Sequence, residues 1–235
     1  MIGNISSIDT MGLVDGPGIR VVVFLQGCSL RCKFCHNPET WNDQQKKKAY
    51  TPEELVKFIL NYKEYFKKKG GVTFSGGEPL KQSEFLLECL KLCKKHDIHT
   101  CIDTAGYAFD YKEILNYTDL VLFDIKEIDP ERYQKLTGRK IDLSLKFLET
   151  CQRKNVKMWI RQVIIPGYND NITYINNLKQ FIKSLKHIEK VELLPYHTMG
   201  IEKYKMLNVP YPLENVPDID SEKCKELERY LITDL

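Results

Sequence analysis

Three closely spaced cysteines are the first chemical feature of the sequence. Cys28, Cys32 and Cys35 form the pattern CxxxCxxC within residues 27–37. A [4Fe-4S] cluster is normally held by four thiolates, so three thiolates in one short loop leave one iron without a protein ligand. The pattern therefore predicts a cluster whose open iron binds a substrate or cofactor.

A zinc site is the alternative use of the same thiols. The three cysteines, with His36 or a distant thiol, would form a set of the kind that structural zinc prefers. We favour the cluster, because zinc motifs usually pair short CxxC units in small domains with little core. Here the segment follows a predicted strand in a long chain. The zinc alternative predicts a non-catalytic interaction module, and the metal content distinguishes the two.

The other five cysteines fit the role of small buried hydrophobes. Cys89 and Cys93 are four residues apart on an apolar helical face, and Cys101 lies in a strand pattern. Cys151 and Cys224 lie in helical segments. We therefore expect no second cluster.

Composition limits the class of protein. With 235 residues and 43% hydrophobic content, the chain fits a single domain spanning residues 1–235. Its net charge of +3 is far below the basic excess of proteins that bind nucleic acid. The sequence shows no leader pattern and no apolar run long enough to cross a bilayer. We expect a cytoplasmic protein that binds neither nucleic acid nor membrane.

Six apolar, strand-like runs alternate with helical patterns, which predicts parallel strands covered by helices. Six units are fewer than the eight of a complete barrel, so we expect an α/β fold, an incomplete (β/α)6 TIM-like barrel with an open side. Such an opening would admit a large substrate. Thr51 predicts a helix start with a capping box, and further helices are expected near Ser83, Tyr111, Asp142 and Asn171. The runs are residues 19–25, 71–75, 99–103, 120–125, 156–165 and 191–195.

Polar residues and a glycine turn follow these strands, at the edge where a barrel gathers its ligand contacts. Candidate binding residues are Gly76, Gly77, Glu78, Asp103, Thr104, Asp124, Ile125, Lys126, Arg161 and His197. The ammonium of Lys126 would attract a ligand carboxylate. Taken singly, Arg161 or His197 is better explained as a surface ion pair or a satisfied loop residue. Their shared placement at strand ends favours a site.

Two motifs together resemble the radical S-adenosylmethionine (SAM) superfamily: CxxxCxxC with Phe34 before its last cysteine, and the GGEP turn at residues 76–79. The resemblance implies that SAM is the ligand of the open iron. It also implies reductive cleavage of SAM to methionine and a 5′-deoxyadenosyl radical. Backbone groups of GGEP would bind the SAM amino group, and Gly77 is the first residue we name for this role.

Five segments narrow the resemblance to the pyruvate formate-lyase activating enzymes: residues 14–20, 28–41, 99–104, 159–161 and 193–197. That family removes a hydrogen atom from a backbone glycine of a glycyl-radical enzyme. The resemblance implies pyruvate formate-lyase as partner, reduced flavodoxin or ferredoxin as electron donor, and a monomer.

The same resemblance assigns residues to roles. Phe34, Cys35, His36, Gly77, residues 124–126 and His197 would surround SAM, and a monovalent cation would lie near Asp103 and Thr104. Asp15 would lie near the incoming glycine loop, although an Asp-Gly turn explains it equally well. We expect the three loop cysteines, Lys126 and Asp15 to carry the reaction.

Two other radical SAM functions remain as alternatives: activation of another glycyl-radical enzyme, or action on a small molecule. Many activating enzymes of other glycyl-radical enzymes carry a cysteine-rich insert between the two motifs. Residues 37–75 contain no cysteine. This favours the pyruvate formate-lyase type.

Overall fold

The structure, a computed structural model, describes residues 1–43, 48–233 and 235. Its strands are β1 (Gly3–Gly12), β2 (Arg20–Leu25), β3 (Lys48–Tyr50), β4 (Gly71–Gly76), β5 (His99–Thr104), β6 (Leu120–Asp124), β7 (Met158–Ile164) and β8 (Ile188–Pro195). All eight belong to one sheet, with the order β3-β1-β2-β4-β5-β6-β7-β8.

The six strands expected from the sequence are the parallel part of this sheet, β2 and β4 to β8. Their bounds differ from the expected runs by at most a few residues at either end. Because β3 and β8 are the two ends of the sheet order, the barrel is incomplete. The predicted fold is confirmed.

Helices lie between the parallel strands and after the last of them. They are α1 (Pro52–Leu60), α2 (Lys63–Phe66), α3 (Ser83–Lys95), α4 (Pro130–Thr137), α5 (Asp142–Arg153), α6 (Ile172–Lys183), α7 (Ile201–Met206) and α8 (Ser221–Ile232). Short 3₁₀ helices span Pro38–Thr40, Pro79–Gln82 and Ile114–Tyr117. The predicted capping box is confirmed: the Thr51 hydroxyl accepts from the Glu54 amide, and the Glu54 carboxylate accepts from the Thr51 amide.

Two features differ from the sequence-based expectation. Strands β1 and β3 were not expected, because β1 alternates buried and exposed residues instead of forming a continuous apolar run. Both pair antiparallel, β1 with β2 and β3 with β1. The expected helix near Tyr111 is wrong: the β5–β6 connection contains only the 3₁₀ helix that begins at Ile114. Tyr111 instead packs edge-on against Phe147, with ring centroids 5.0 Å apart.

The two faces of the parallel sheet differ in chemistry, because successive side chains point to opposite faces. One face packs into the main hydrophobic core beneath the helices, with Val23, Phe74, Ile102, Val121 and Ile160 among its residues. The alternate positions carry polar groups, among them Ser75, Asp103, Asp124, Arg161 and Glu192. The fold thus turns a polar face inward, where a ligand can meet it.

The five other cysteines lie where small hydrophobes are expected. Cys89, Cys93 and Cys151 belong to the main core with Cys224, and Cys101 packs with Leu120 and Leu122. All are free thiols. In the part of the chain that the structure describes, no helix has the length and apolar character needed to span a bilayer.

Candidate active site

A cavity of about 290 Å³ lies at the carboxyl ends of the parallel strands. It brings together residues that are far apart in the sequence. The predicted site residues that line it are Asp15, Cys28, Cys32, Phe34, Cys35, His36, Gly76, Gly77, Glu78, Asp103, Thr104, Asp124 and Lys126.

The loop that carries the three cysteines is held from two sides by backbone hydrogen bonds. On one side the Arg31 amide donates to the Thr137 carbonyl at 2.8 Å, and the Lys33 amide donates to the Leu136 carbonyl at 2.9 Å. On the other side the Glu78 amide donates to the Gly27 carbonyl at 2.9 Å. The thiols are therefore held between the end of α4 and the glycine turn after β4.

The three thiols fit a cluster by their burial and chemistry. Cys28 and Cys32 are only 9% and 8% exposed. Burial raises the pKa of both thiols to about 12 and also raises the pKa of Cys35. Isolated thiolates would be costly here, whereas iron takes up thiolate charge and releases the protons. Among the residues that the structure describes, no three His, Cys, Asp or Glu side chains are arranged to hold a single metal ion.

Gly77 lets the glycine turn approach the cysteine loop. A Cβ at this position would lie 2.2 Å from the Gly27 carbonyl oxygen and 3.2 Å from the Cys28 Cβ. Gly76 has a φ of +108°, a region that favours glycine. The GGEP segment therefore presents bare backbone to the cavity, as a bound SAM amino group requires.

Glu78 ties the glycine turn to the end of β5. Its carboxylate is 2% exposed and accepts from the Thr104 hydroxyl at 2.5 Å and from the Ala105 amide at 3.1 Å. Burial raises the pKa of Glu78, and these hydrogen bonds oppose that effect. The hydrogen bond between Glu78 and Thr104 thus connects two segments of the cavity wall.

Lys126 places a cation beside the thiols. Its ammonium is 2.7 Å from the Asp124 carboxylate and 5.5 Å from the centre of the Phe34 ring, and the side chain is 15% exposed. Burial disfavours the charged form, but the neighbouring Asp124 carboxylate holds the pKa of Lys126 above its ordinary value. The lysine remains protonated and can attract the carboxylate of a ligand.

Asp103 also lines the cavity, and its carboxylate accepts a hydrogen bond from the Ser75 hydroxyl at 2.8 Å. Burial and the nearby Asp124 carboxylate raise the pKa of Asp103 well above its usual range. Two carboxylates in one enclosed space suit a cation or a donor group of a ligand. The predicted monovalent cation at Asp103 and Thr104 stays a prediction.

His36 and His197 form a stacked pair at the mouth of the cavity. Their ring centroids are 3.9 Å apart, and the His36 Nε2–H donates to the His197 carbonyl at 3.0 Å. His197 does not line the cavity directly, but its Nδ1 is buried without a hydrogen-bond partner among the described residues. A bound adenosine would offer polar groups to such an atom. The predicted role of His197 stays a prediction.

The turn that contains Asp15 reaches the cavity from the opposite end of the strands. The Thr73 hydroxyl donates to the Asp15 carbonyl at 2.6 Å, and Arg20 donates to the Pro17 carbonyl at 3.0 Å. Burial raises the pKa of Asp15, against the opposing charge of Arg161. Asp15 therefore lines the cavity from the amino end of β2, and its contact with an incoming glycine segment stays a prediction.

Arg161 and Ile125 do not line the cavity. Arg161 is 6% exposed, donates from its Nε to Glu192 at 3.1 Å, and donates to the Val14 carbonyl. It therefore supports the turn beside Asp15. Ile125 is packed in the main core. Contact of either residue with the cofactor stays a prediction.

Comparison with known proteins places this site in a family. The family model described as "Radical SAM superfamily" matches residues 22–174. A pyruvate formate-lyase-activating enzyme from Clostridium pasteurianum is 54% identical over 233 residues, which cover 98% of each chain. The chain belongs to the pyruvate formate-lyase-activating enzymes of the radical SAM superfamily. This membership brings a [4Fe-4S] cluster and SAM as its cofactors.

Solved structures agree with the assignment of this activating enzyme. A domain of pyruvate formate-lyase-activating enzyme from Bacteroides vulgatus is 30% identical, with a TM-score of 0.56, covering 69% of this chain and 92% of that one. SuiB from Streptococcus suis, solved with bound S-adenosylmethionine, is 18% identical, with a TM-score of 0.67, covering 87% and 44%. At that identity, SuiB supports the fold alone.

Several cavity residues of this activating enzyme were not chosen from the sequence. Ser75 lines the cavity next to the GGEP turn, and Phe24, Val163 and Leu194 supply apolar wall. The alternation of side chains along a strand could have identified Ser75. It lies two residues before Gly77 and therefore points to the same face of the sheet, the one that lines the cavity. The apolar residues carried no such signal, because core positions have the same composition.

Proposed function

We propose that this chain generates a glycyl radical on pyruvate formate-lyase, using the cluster and SAM. The observation that carries the proposal is that the three loop thiols, the GGEP turn and Lys126 line one cavity. Thiols would hold three irons of a cluster, the turn would face the fourth, and the ammonium would orient an anionic group. A zinc module would have no use for the last two features.

Cys28, Cys32 and Cys35 would hold the cluster, and SAM would lie against Gly76, Gly77 and Lys126. When bound, these groups supply one electron and the 5′-deoxyadenosyl radical that abstracts a hydrogen atom. The protein's own contribution is position and exclusion of water. Burial of the loop thiols and the close backbone contact at Gly77 keep solvent away from the reactive centre, which limits side reactions.

The open side of the barrel would admit the glycine-bearing segment of the partner. Asp15 lines the cavity from the end opposite to the cysteine loop, and its turn is braced by Arg161. A backbone segment that enters there could reach the cavity without opening the sheet. We assign Asp15 to positioning that segment.

The remaining assignments rest on the same resemblance. We propose reduced flavodoxin or ferredoxin as electron donor, a monomer, a cytoplasmic location and a monovalent cation near Asp103. We also propose that residues 1–235 are one domain, which is supported by the single sheet and by the packing of α8 against β8 and α6.

Electron paramagnetic resonance tests the proposed function. The chain is reconstituted anaerobically with iron and sulfide, reduced with dithionite, and mixed with SAM and pyruvate formate-lyase. We expect a glycyl-radical signal and one 5′-deoxyadenosine for each radical formed. A partner variant with alanine at the radical position should give no signal.

Two other outcomes would show which part of the proposal is wrong. If 5′-deoxyadenosine forms without a glycyl radical, the superfamily assignment stands and the substrate is wrong. If the protein binds zinc and no iron and leaves SAM intact, the proposal is wrong as a whole.

A further inference from the structure

Five basic side chains form an exposed surface outside the cysteine loop: Arg31, Lys33, Lys135, Arg139 and Lys140, here called the basic surface. Arg31 and Lys33 belong to the cysteine loop itself, and the other three lie at the end of α4 and just after it. The chain as a whole has a net charge of only +3, so these charges are concentrated.

Direct contacts join the basic surface to the loop that carries the thiols. The Arg31 guanidinium donates to the Cys28 and Leu30 carbonyls, each at 2.7 Å, and lies 5.0 Å from the centre of the Trp41 ring. Arg139 donates from its Nε to the Ser29 carbonyl at 3.0 Å. The surface therefore lies directly on the outside of the loop that carries the thiols.

The charges of the basic surface are not neutralised within the chain. None of its five side chains forms an ion pair with a described residue. Elsewhere in the described chain, lysines such as Lys81 and Lys203 do form ion pairs with acidic side chains. The two acidic residues within positions 28–43 form ion pairs with other lysines. Glu39 pairs with Lys203 at 2.7 Å, and Asp43 pairs with Lys81 at 2.5 Å. Positive charge is thus left without an ion-pair partner on the outside of the loop that carries the thiols.

We propose that the basic surface is the docking site of a small acidic electron carrier. This inference rests on the proposed function, because reductive cleavage needs one electron from outside the chain. One electron leaves the carrier and reduces the cluster by one electron, and no bond in this chain forms or breaks. Complementary charge speeds such an encounter and orients it. An acidic protein suits the surface better than nucleic acid, since the net charge of the chain is only +3 and the surface lies on the loop that carries the cluster ligands.

Charge reversal away from the loop tests the docking site. The double variant Lys135→Glu with Lys140→Glu changes the basic surface and leaves the arginines that hold the loop in place. Its matched control is Lys57→Glu with Lys183→Glu, the same charge change at exposed positions in the last turns of α1 and α6. Both helices lead into the amino ends of parallel strands, α1 through α2 into β4 and α6 into β8, whereas the cysteine loop follows the carboxyl end of β2.

Two readouts separate docking from catalysis. Binding of oxidised flavodoxin to the cluster-loaded protein is measured by flavin fluorescence at low and moderate salt. Cluster reduction by photoreduced flavodoxin and dithionite-driven SAM cleavage are followed in parallel. For the charge-reversed surface we expect about tenfold weaker flavodoxin binding, slower reduction and a flatter salt dependence. Dithionite-driven cleavage should stay unchanged, and the control should behave as the unmodified protein.

Three outcomes would overturn the proposal. The first is unchanged flavodoxin binding, and the second is an equal loss with dithionite, which would mean that the surface shapes the cysteine loop. The third is preferential binding of a DNA duplex over flavodoxin. If the reversed pair folds poorly, Lys135→Gln with Lys140→Gln should give a smaller effect in the same direction. Failure of the proposed function shows separately, as SAM cleavage by dithionite without a glycyl radical on pyruvate formate-lyase.

Discussion

Gly77→Ala tests whether SAM cleavage depends on the close approach of the glycine turn to the cysteine loop. Its effect on SAM cleavage should exceed what the loss of stability alone explains. The new Cβ would lie 2.2 Å from the Gly27 carbonyl oxygen, and ordinary contacts begin at 3.4 Å. The cysteine loop would have to move by about 1.2 Å, because both contacting groups are backbone or directly attached to it. Gly77 does not have a positive φ, so the effect is steric.

The size of the effect follows from this movement. A reacting group displaced by about 1 Å can lose about 100-fold in rate, and overpacking of this kind costs about 1–3 kcal/mol of stability. Gly27 precedes the first cluster ligand, so its displacement moves Cys28. We expect at least a tenfold lower rate of SAM cleavage per bound cluster.

The assay measures 5′-deoxyadenosine formation with dithionite, the iron content per chain and the thermal unfolding midpoint. Gly167→Ala is the control, because a Cβ there meets nothing within 4 Å while the φ of +73° strains the backbone. That strain costs about 1–2 kcal/mol, similar to the stability cost at Gly77. A Gly77→Ala protein that binds a full cluster and cleaves SAM at the unmodified rate would refute the reasoning.

Three further predictions follow from the same contacts. Cys32→Ala should abolish cluster binding and SAM cleavage, whereas Cys93→Ala, buried in the core, should retain both; an inactive but folded Cys93→Ala protein would contradict the assignment. Arg161→Lys should lower glycyl-radical formation more than it lowers SAM cleavage measured without the partner. A lysine ammonium cannot bind the Val14 carbonyl and the Glu192 carboxylate together as the planar guanidinium does. Equal losses in the two assays would argue against this. Asp103→Asn should stabilise the cluster-free protein increasingly as pH rises from about 4 to 7, since the raised pKa makes ionisation of Asp103 costly in the folded state; a pH-independent difference in urea unfolding would exclude it.

The parallel strands were predictable because they are buried on both sides. Their largely apolar runs reflect cover by helices on one face. The bounds of β6 were predicted to within one residue, whereas β8 begins three residues before the predicted run. Strand β1 escaped prediction because an antiparallel strand near the edge of a sheet needs apolar residues on one face only. A four-residue 3₁₀ helix gives too short a pattern to tell it from an α-helix.

Roles of individual polar residues were less predictable than their presence at strand ends. Glu78 follows the glycine turn directly, yet its carboxylate is spent on Thr104 and the Ala105 amide. Arg161 also ends near the cavity, yet it holds the Val14 carbonyl. A strand-end position gives the neighbourhood of a side chain, but its hydrogen-bond partners come from other strands and turns.

The sequence by itself determined the cluster loop, the glycine turn and the alternation of strands and helices. These features depend on local spacing: three thiols within one loop, two glycines at a strand end, and apolar periodicity along each element. Tertiary structure decided which polar groups face the cavity and which instead form hydrogen bonds that hold its walls together. It also decided that five basic side chains from two separate segments share one surface, because hydrogen bonds join the cysteine loop to the end of α4. Contacts between segments more than 100 residues apart depend on the packing of the whole sheet, which local spacing does not encode.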